Sequence, residues 1–228
     1  MLRGNQLAEI TVPGIHTQVY PSIRNCFPDL EVSILDCGAG TGAWVERLRS
    51  AGYRNITAVD RDGSRYGGFA PLQVIDLNDN FSESLAGQFD VITAIEVIEH
   101  LENPVHFLRQ ARKLLKPTGT LVLTTPNVEG MPGRLKFLLS GNLRHFDRHG
   151  DPTHISPILS SLLSKLAAQV DLRVVQRLPI IPMWEERRWW VRALCRMIAP
   201  LVSGPVYGES HLFFLRPQLG HDPVCAPY

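Results

Sequence analysis

The sequence predicts an α/β fold, a doubly wound and mainly parallel sheet. Apolar, strand-like runs alternate with helical patterns between residues 32 and 124. The run Ile34-Leu35-Asp36-Cys37-Gly38-Ala39-Gly40-Thr41-Gly42 joins a strand end to a glycine turn, and the pattern Trp44, Val45, Leu48 starts a helix at once. Neither an internal repeat nor a low-complexity tract interrupts the 228 residues. That length suits a single domain, 1–228, with a sizeable core.

The elements follow in order. Residues 1–31 form an irregular N-terminal cap broken by Pro13, Pro21 and Pro28, with a short helix near 16–26. Val32–Asp36 is the first strand, Ala43–Ala51 a helix, Ile56–Asp60 the second strand and Leu72–Ile75 the third. Phe89–Ala94 is the fourth strand, and Pro104–Leu115 is a helix with proline in its first turn. Lys116–Gly119 reads as a turn before a fifth strand, Thr120–Thr124. Residues 127–157 then lose periodicity and read as a lid insertion, with a helical piece at Leu135–Ser140; loops this long are often functional. Pro157–Gln169 is a helix, Leu172–Leu178 a sixth strand and His211–Leu215 the last. Between those two strands, 183–205 holds an amphipathic helix, Glu185–Leu201.

Composition excludes several classes. Lys plus Arg (23) nearly cancels Asp plus Glu (22), so no global field draws nucleic acid and no DNA partner is expected. The four cysteines form no close pairs, which suggests neither a zinc site nor a disulfide framework. No long apolar run with basic flanks marks a signal peptide, and no 18-residue apolar stretch marks a transmembrane helix. A cytoplasmic protein, monomer or homodimer, is expected.

Taken alone, the glycine turn is ambiguous. Gly38-x-Gly40-x-x-Ala43 also satisfies a dinucleotide fingerprint, with Asp60 at a suitable distance for a ribose. Backbone N–H groups at the glycines and the helix N-terminus would serve either nucleotide. Asp36 decides between them. A carboxylate at the end of the first strand would repel a pyrophosphate and suits a ligand that is cationic there, such as S-adenosylmethionine.

Leu35–Gly42 resembles the first motif of class I S-adenosylmethionine-dependent methyltransferases. Ala58-Val59-Asp60-Arg61-Asp62 is similar to their second-strand acid motif, Phe89–Leu101 to their fourth-strand block, and Leu114–Leu123 to their fifth-strand signature. Four motifs in order span roughly residues 30–127, nearest to the branch with ubiquinone-pathway and glycan O-methyltransferases. The resemblance implies a Rossmann-like sheet of seven strands whose last is antiparallel. It implies S-adenosylmethionine as cofactor, with Gly38, Gly40 and Gly42 against it and Asp36 near its amino acid end. Asp60, followed by Arg61, would take the ribose hydroxyls, Asp76 the adenine amino group with Leu77 beside it, and Ile95 and Glu96 the methionine side.

Methyl transfer to a hydroxyl needs a proton removed, and histidine suits that near neutral pH. His100, past the fourth strand, and His145 and His154 in the lid are the candidate bases. Glu96-x-x-Glu99-His100 is also similar to the divalent-metal motif of ubiquinone-type enzymes and of small-RNA 2′-O-methyltransferases, so a metal stands as the alternative use of the cluster. In the late helix, Arg188, Arg192 and Arg196 share one face while Trp190, Leu194, Met197 and Leu201 share the other. Either the helix packs on the sheet with its basic side in solvent, or residues 185–201 make peripheral contact with a membrane.

The expected function is methylation of a small-molecule or glycan acceptor, lipid-linked in one version, at oxygen. The rivals are RNA 2′-O-methylation and a non-catalytic S-adenosylmethionine-binding subunit.

Overall fold

In a computed structural model of the chain, residues 7–181 and 189–218 are described. Seven strands make one sheet: β1 (Ile34–Cys37), β2 (Ile56–Asp60), β3 (Leu72–Val74), β4 (Phe89–Ile95), β5 (Leu115–Pro126), β6 (Leu172–Ile180) and β7 (Ser210–Pro217). Their order is β3-β2-β1-β4-β5-β7-β6. The first five pair in parallel, and β7 runs antiparallel to both neighbours. This is the mostly parallel, seven-stranded sheet with an antiparallel last strand that the resemblance implies.

Helices α1 (Ile15–Cys26), α2 (Ala43–Ser50), α3 (Phe81–Ser84), α4 (Pro104–Leu114), α5 (Met131–Ser140), α6 (Ser160–Ala168) and α7 (Trp189–Ile198) surround the sheet. Strand alternation sorts them into two cores. Ile34, Val91, Val122 and Phe214 face α1 and α2, against Ile15, Val19, Ile23, Trp44 and Leu48. Leu35, Ile92, Leu123 and Phe213 face α4 and α6, against Phe107, Leu108, Leu163 and Ala167. A third, small cluster (Met131, Cys195, Ala199 and Val206) joins α5 to α7.

Four expectations change. The turn at Lys116–Gly119 lies inside β5, where the register with β4 slips between Phe89 and Val91. The Lys116 Nζ there donates to Asp90 Oδ2 at 2.7 Å. The helix expected from Pro157 begins at Ser160, whose N–H donates to Glu129 Oε2 at 2.6 Å. The short α3 has no counterpart in the sequence reading.

Of the late helix, Glu185 and Arg188 lie outside the described residues, and α7 does not lay Trp190, Leu194, Met197 and Leu201 on the sheet. It packs through Val191, Cys195 and Ile198 onto α5, leaving Trp190, Met197 and Leu201 exposed. The helix has two adjacent apolar arcs, and only the α5 contact selects which is buried.

Strand order reverses between β1 and β4, and a cleft opens beyond their carboxyl ends, as the doubly wound topology dictates.

Candidate active site

The cleft encloses about 520 Å³ and is lined by the glycine turn, the acidic ends of β2 and β3, and the residues after β4. Gly38 and Gly42 need their missing side chains. Gly38 has φ +76°, and a Cβ there would stand 2.5 Å from Val97 Cγ2; at Gly42, φ +85°, it would meet the Tyr66 ring at 2.9 Å. The N–H groups of the three glycines and of Ala39 are committed inside the protein. Gly38 and Ala39 donate to Val59 O, Gly42 to Ala39 O, and Gly40 to Asp60 Oδ2 at 2.7 Å. These glycine N–H groups shape the turn itself. The glycines bring the backbone close to the cleft, which Asp36, Asp60 and Asp76 also line.

Asp36 is 2% exposed; its Oδ1 accepts the Thr93 hydroxyl at 2.7 Å and its Oδ2 has no partner. Burial pushes its pKa up to about 7, opposed by the Thr93 hydrogen bond. An ammonium group at the cleft would satisfy that orphaned oxygen, and a pyrophosphate would not.

Asp60 also lines the cleft, with Oδ1 accepting from Asp62 N at 2.9 Å and Oδ2 from Gly40 N. Each oxygen keeps a second lone pair that a ribose hydroxyl could use. Asp76, whose Oδ1 takes the Asn78 backbone and side-chain N–H groups at 2.9 Å, reaches the cleft with the buried Leu77, and Ile95 lines it too. Arg61 lies exposed at the rim.

Past β4 the chemistry changes. Glu96 adopts φ +53°, a left-handed backbone that costs a non-glycine residue on the order of 1–3 kcal/mol, and its N–H donates to Thr124 Oγ1 at 2.9 Å. Burial raises the Glu96 carboxyl to about 7. Glu99 is fully buried, neither of its carboxylate oxygens has a hydrogen-bond partner, and burial together with the Glu96 charge pushes its pKa well above the usual carboxylate range.

Two histidines stand beside it. The Thr153 hydroxyl donates to Asp151 Oδ1 at 2.5 Å, so His100 Nδ1, 2.9 Å from Thr153 Oγ1 and 3.2 Å from Thr153 O, is the donor toward both oxygens. His154 Nδ1 donates to His145 O at 3.1 Å. Both networks leave the Nε2 lone pairs uncommitted. The rings meet edge-on, centroids 4.7 Å apart. Glu99, His100 and His154 each offer a ligand atom, all within 4.8 Å of one another. An orphaned buried carboxylate beside histidines anchored through Nδ1 to carbonyls is the donor set a divalent cation takes. The cluster fits a metal.

A family model for a methyltransferase domain matches residues 15–177. The chain belongs to that family. Over 109 residues it is 32% identical to a ubiquinone biosynthesis O-methyltransferase of Pseudomonas aeruginosa (strain UCBPP-PA14). That match takes in 41% of this chain and 44% of the relative, so the chain is matched along less than half of the relative's length. Among solved structures, a SAM dependent methyltransferase from Archaeoglobus fulgidus superposes with a TM-score of 0.61 at 17% identity, covering 88% of this chain and 93% of that one. The plantazolicin methyltransferase BamL, in complex with a triazolic desmethylPZN analog and SAH, gives 0.63 at 12% identity, covering 91% and 86%. These two likenesses bear on the fold, which is that of class I S-adenosylmethionine-dependent methyltransferases.

The chain brings most of its sequence-predicted residues to one cleft: Asp36, Gly38, Gly40, Asp60, Arg61, Asp76, Leu77, Ile95, Glu96 and His100 all line it. Gly42 supports the turn from behind, against Tyr66. His154 adjoins His100.

His145 is the exception. Its side chain lies outside the cleft lining, with Nε2 4.0 Å from Glu209 Oε2, and its contribution to the cluster is the backbone carbonyl. Asp147 pairs with Lys136, and His149 accepts from Arg148 Nε at 3.0 Å, so neither joins the site.

The sequence reading missed the N-terminal wall. Ile10, Thr11 and His16 line the cleft with Trp44, and Thr41 Oγ1 ties the strap to the glycine turn through Ala8 O at 2.9 Å. His16 stands 3.5 Å from Glu9 with its ring 5.3 Å from Trp44, and burial lowers its pKa to about 4. The available signal was a histidine at helical spacing from Val19 and Ile23, the apolar face of α1.

Proposed function

We propose that this methyltransferase moves a methyl group from S-adenosylmethionine to a hydroxyl oxygen of a small molecule, with a divalent cation held by Glu99, His100 and His154 next to the acceptor. The buried, unpartnered Glu99 carboxylate beside two Nδ1-anchored histidines carries this reading. The named activity of the Pseudomonas relative, O-methylation in ubiquinone biosynthesis, points the same way.

The residues divide the work. Asp36 Oδ2 takes the ammonium of the cofactor, Asp60 the ribose hydroxyls, and Asp76 the adenine amino group. S-adenosylmethionine supplies a methyl group on a sulfonium, already activated for in-line displacement. A divalent cation would supply Lewis acidity, lowering the pKa of an acceptor hydroxyl. His100 and His154, with Nδ1 committed to Thr153 and to the His145 carbonyl, would each offer Nε2 to that cation. Burial and His154 hold the His100 pKa below its usual value, which favours the unprotonated ring a ligand needs, and the proton of the acidified acceptor hydroxyl would pass to solvent. Glu96 is fixed by its strained backbone at the rim where donor and acceptor meet.

An RNA 2′-oxygen would suit the same cluster, but the net charge of +1 offers little to a polyphosphate backbone. Glycan hydroxyls share the chemistry and belong in the acceptor panel.

The test incubates the protein with methyl-labelled S-adenosylmethionine and separate pools of diphenols, glycosides, amines and small RNA, with and without chelator. Label should enter the oxygen acceptors, fall at least about 100-fold on chelation and return with added magnesium or manganese. Transfer only to amines, or activity indifferent to chelator in Glu99→Gln as well as wild type, contradicts the reading.

A further inference from the structure

We infer that α5 and α7 together form a docking surface for an anionic lipid bilayer. The two helices pack on each other through Met131, Leu135, Val191, Cys195 and Ile198, and each leaves large apolar side chains in solvent. On α5, Phe137, Leu138 and Leu139 are 54%, 79% and 83% exposed. On α7 and the turn after it, Trp189, Trp190, Met197 and Leu201 are 74%, 50%, 68% and 84% exposed. Half of the large hydrophobic side chains exposed among the described residues lie on these two segments. Scattered exposed leucines need no explanation, but this concentration does.

Charge selects the occupant. Residues 131–140 and 189–201 carry Arg134, Lys136, Arg192 and Arg196 and no carboxylate. Lys136 pairs with Asp147 of the neighbouring loop, and the two segments keep a positive charge count with that carboxylate included. A two-fold contact between copies of this chain would set a basic surface against itself, an unfavourable like-charge match. An anionic bilayer offers the complementary charge together with an apolar layer. Tryptophans beside basic residues are the side chains that settle at a membrane–water boundary. No described helix is long and apolar enough to cross a membrane, so the contact is peripheral. This inference stands apart from the methyl acceptor and the metal.

Flotation of the full chain with vesicles tests it. Phosphatidylcholine vesicles containing phosphatidylglycerol should carry the protein up the gradient, and pure phosphatidylcholine should carry at least about ten-fold less. The double variant Leu138→Glu/Leu139→Glu, and separately Trp190→Ser, should each cut partitioning at least about ten-fold while S-adenosylhomocysteine affinity and melting temperature stay at wild-type values. Equal recovery with both vesicle types overturns the anionic assignment. Wild-type protein that floats with neither, or folded variants that float as well as wild type, overturns the surface. A dimer in light scattering that Leu138→Glu/Leu139→Glu dissolves, without vesicle binding, assigns the face to a second copy and overturns the proposal.

Discussion

His154 donates its Nδ1 proton to the backbone carbonyl of His145, 3.1 Å away, so two histidines that look equivalent in sequence have different jobs. The first offers a ring nitrogen to the Glu99–His100 cluster; the second offers a carbonyl that fixes the first one's tautomer. His154→Ala should therefore lower methyl transfer by about 100-fold while leaving S-adenosylhomocysteine affinity within two-fold or so. His145 has φ +69°, so His145→Gly should retain activity within a few-fold and His145→Ala should cost about 1 kcal/mol more stability than the glycine variant. Steady-state kinetics and thermal melts of the three variants check this. Equal loss of activity in His154→Ala and His145→Gly would show the His145 side chain to matter as much as the His154 ring.

Gly38 makes a steric prediction. Alanine there adds a Cβ 2.5 Å from Val97 Cγ2 at φ +76°. Overpacking and backbone strain together should destabilise Gly38→Ala by about 2–4 kcal/mol. Val97→Ala in the same chain should return the steric share and leave the backbone share, so the double variant should be more stable than Gly38→Ala. Denaturant melts of the two single variants and the double measure the coupling. Additive losses would place the two side chains out of contact.

The raised pKa of Asp36 sets a pH dependence with a definite sign. The folded carboxyl titrates at about 7 rather than 3.8, so the folded state holds a proton that the unfolded chain has released. Its stabilising share is full below about 4 and is lost as pH rises through about 7. Glu96 and Glu99 act in the same direction. The buried His16 and His211, lowered to about 4, act oppositely between about 4 and 6.5, so raw stability is a mixed record. The difference between wild type and Asp36→Asn isolates the carboxyl. Melting temperatures from pH 5 to 8 should show the variant gaining on wild type as pH rises. A constant difference across that range would mean that Asp36 ionises normally.

Much of this site was legible because it is local. The glycine turn, Asp60 and Asp76 sit within a few residues of the strand ends that position them, and a strand–turn–helix run fixes their direction. The use made of the Gly38, Ala39 and Gly40 N–H groups was not legible, since their acceptors, Val59 O and Asp60 Oδ2, lie on the next strand. His16 and Ile10 reach the cleft only because α1 packs on the face that also carries Trp44 and Val91, a contact no local pattern encodes. The same reason misplaced α7, whose two apolar arcs read alike until Met131 and Leu135 chose one. His145 and His154 could be separated only by which ring nitrogens find carbonyls.

The central claim is that the acids around the glycine turn select S-adenosylmethionine over a dinucleotide. Titration calorimetry of wild type and Asp60→Asn with S-adenosylhomocysteine and with NADH tests it most directly. Wild type should bind S-adenosylhomocysteine and show no heat with NADH, and Asp60→Asn should bind the former about 10- to 100-fold more weakly, one charged acceptor having been lost. Binding of NADH but not S-adenosylhomocysteine, or an affinity unchanged by Asp60→Asn, would contradict it.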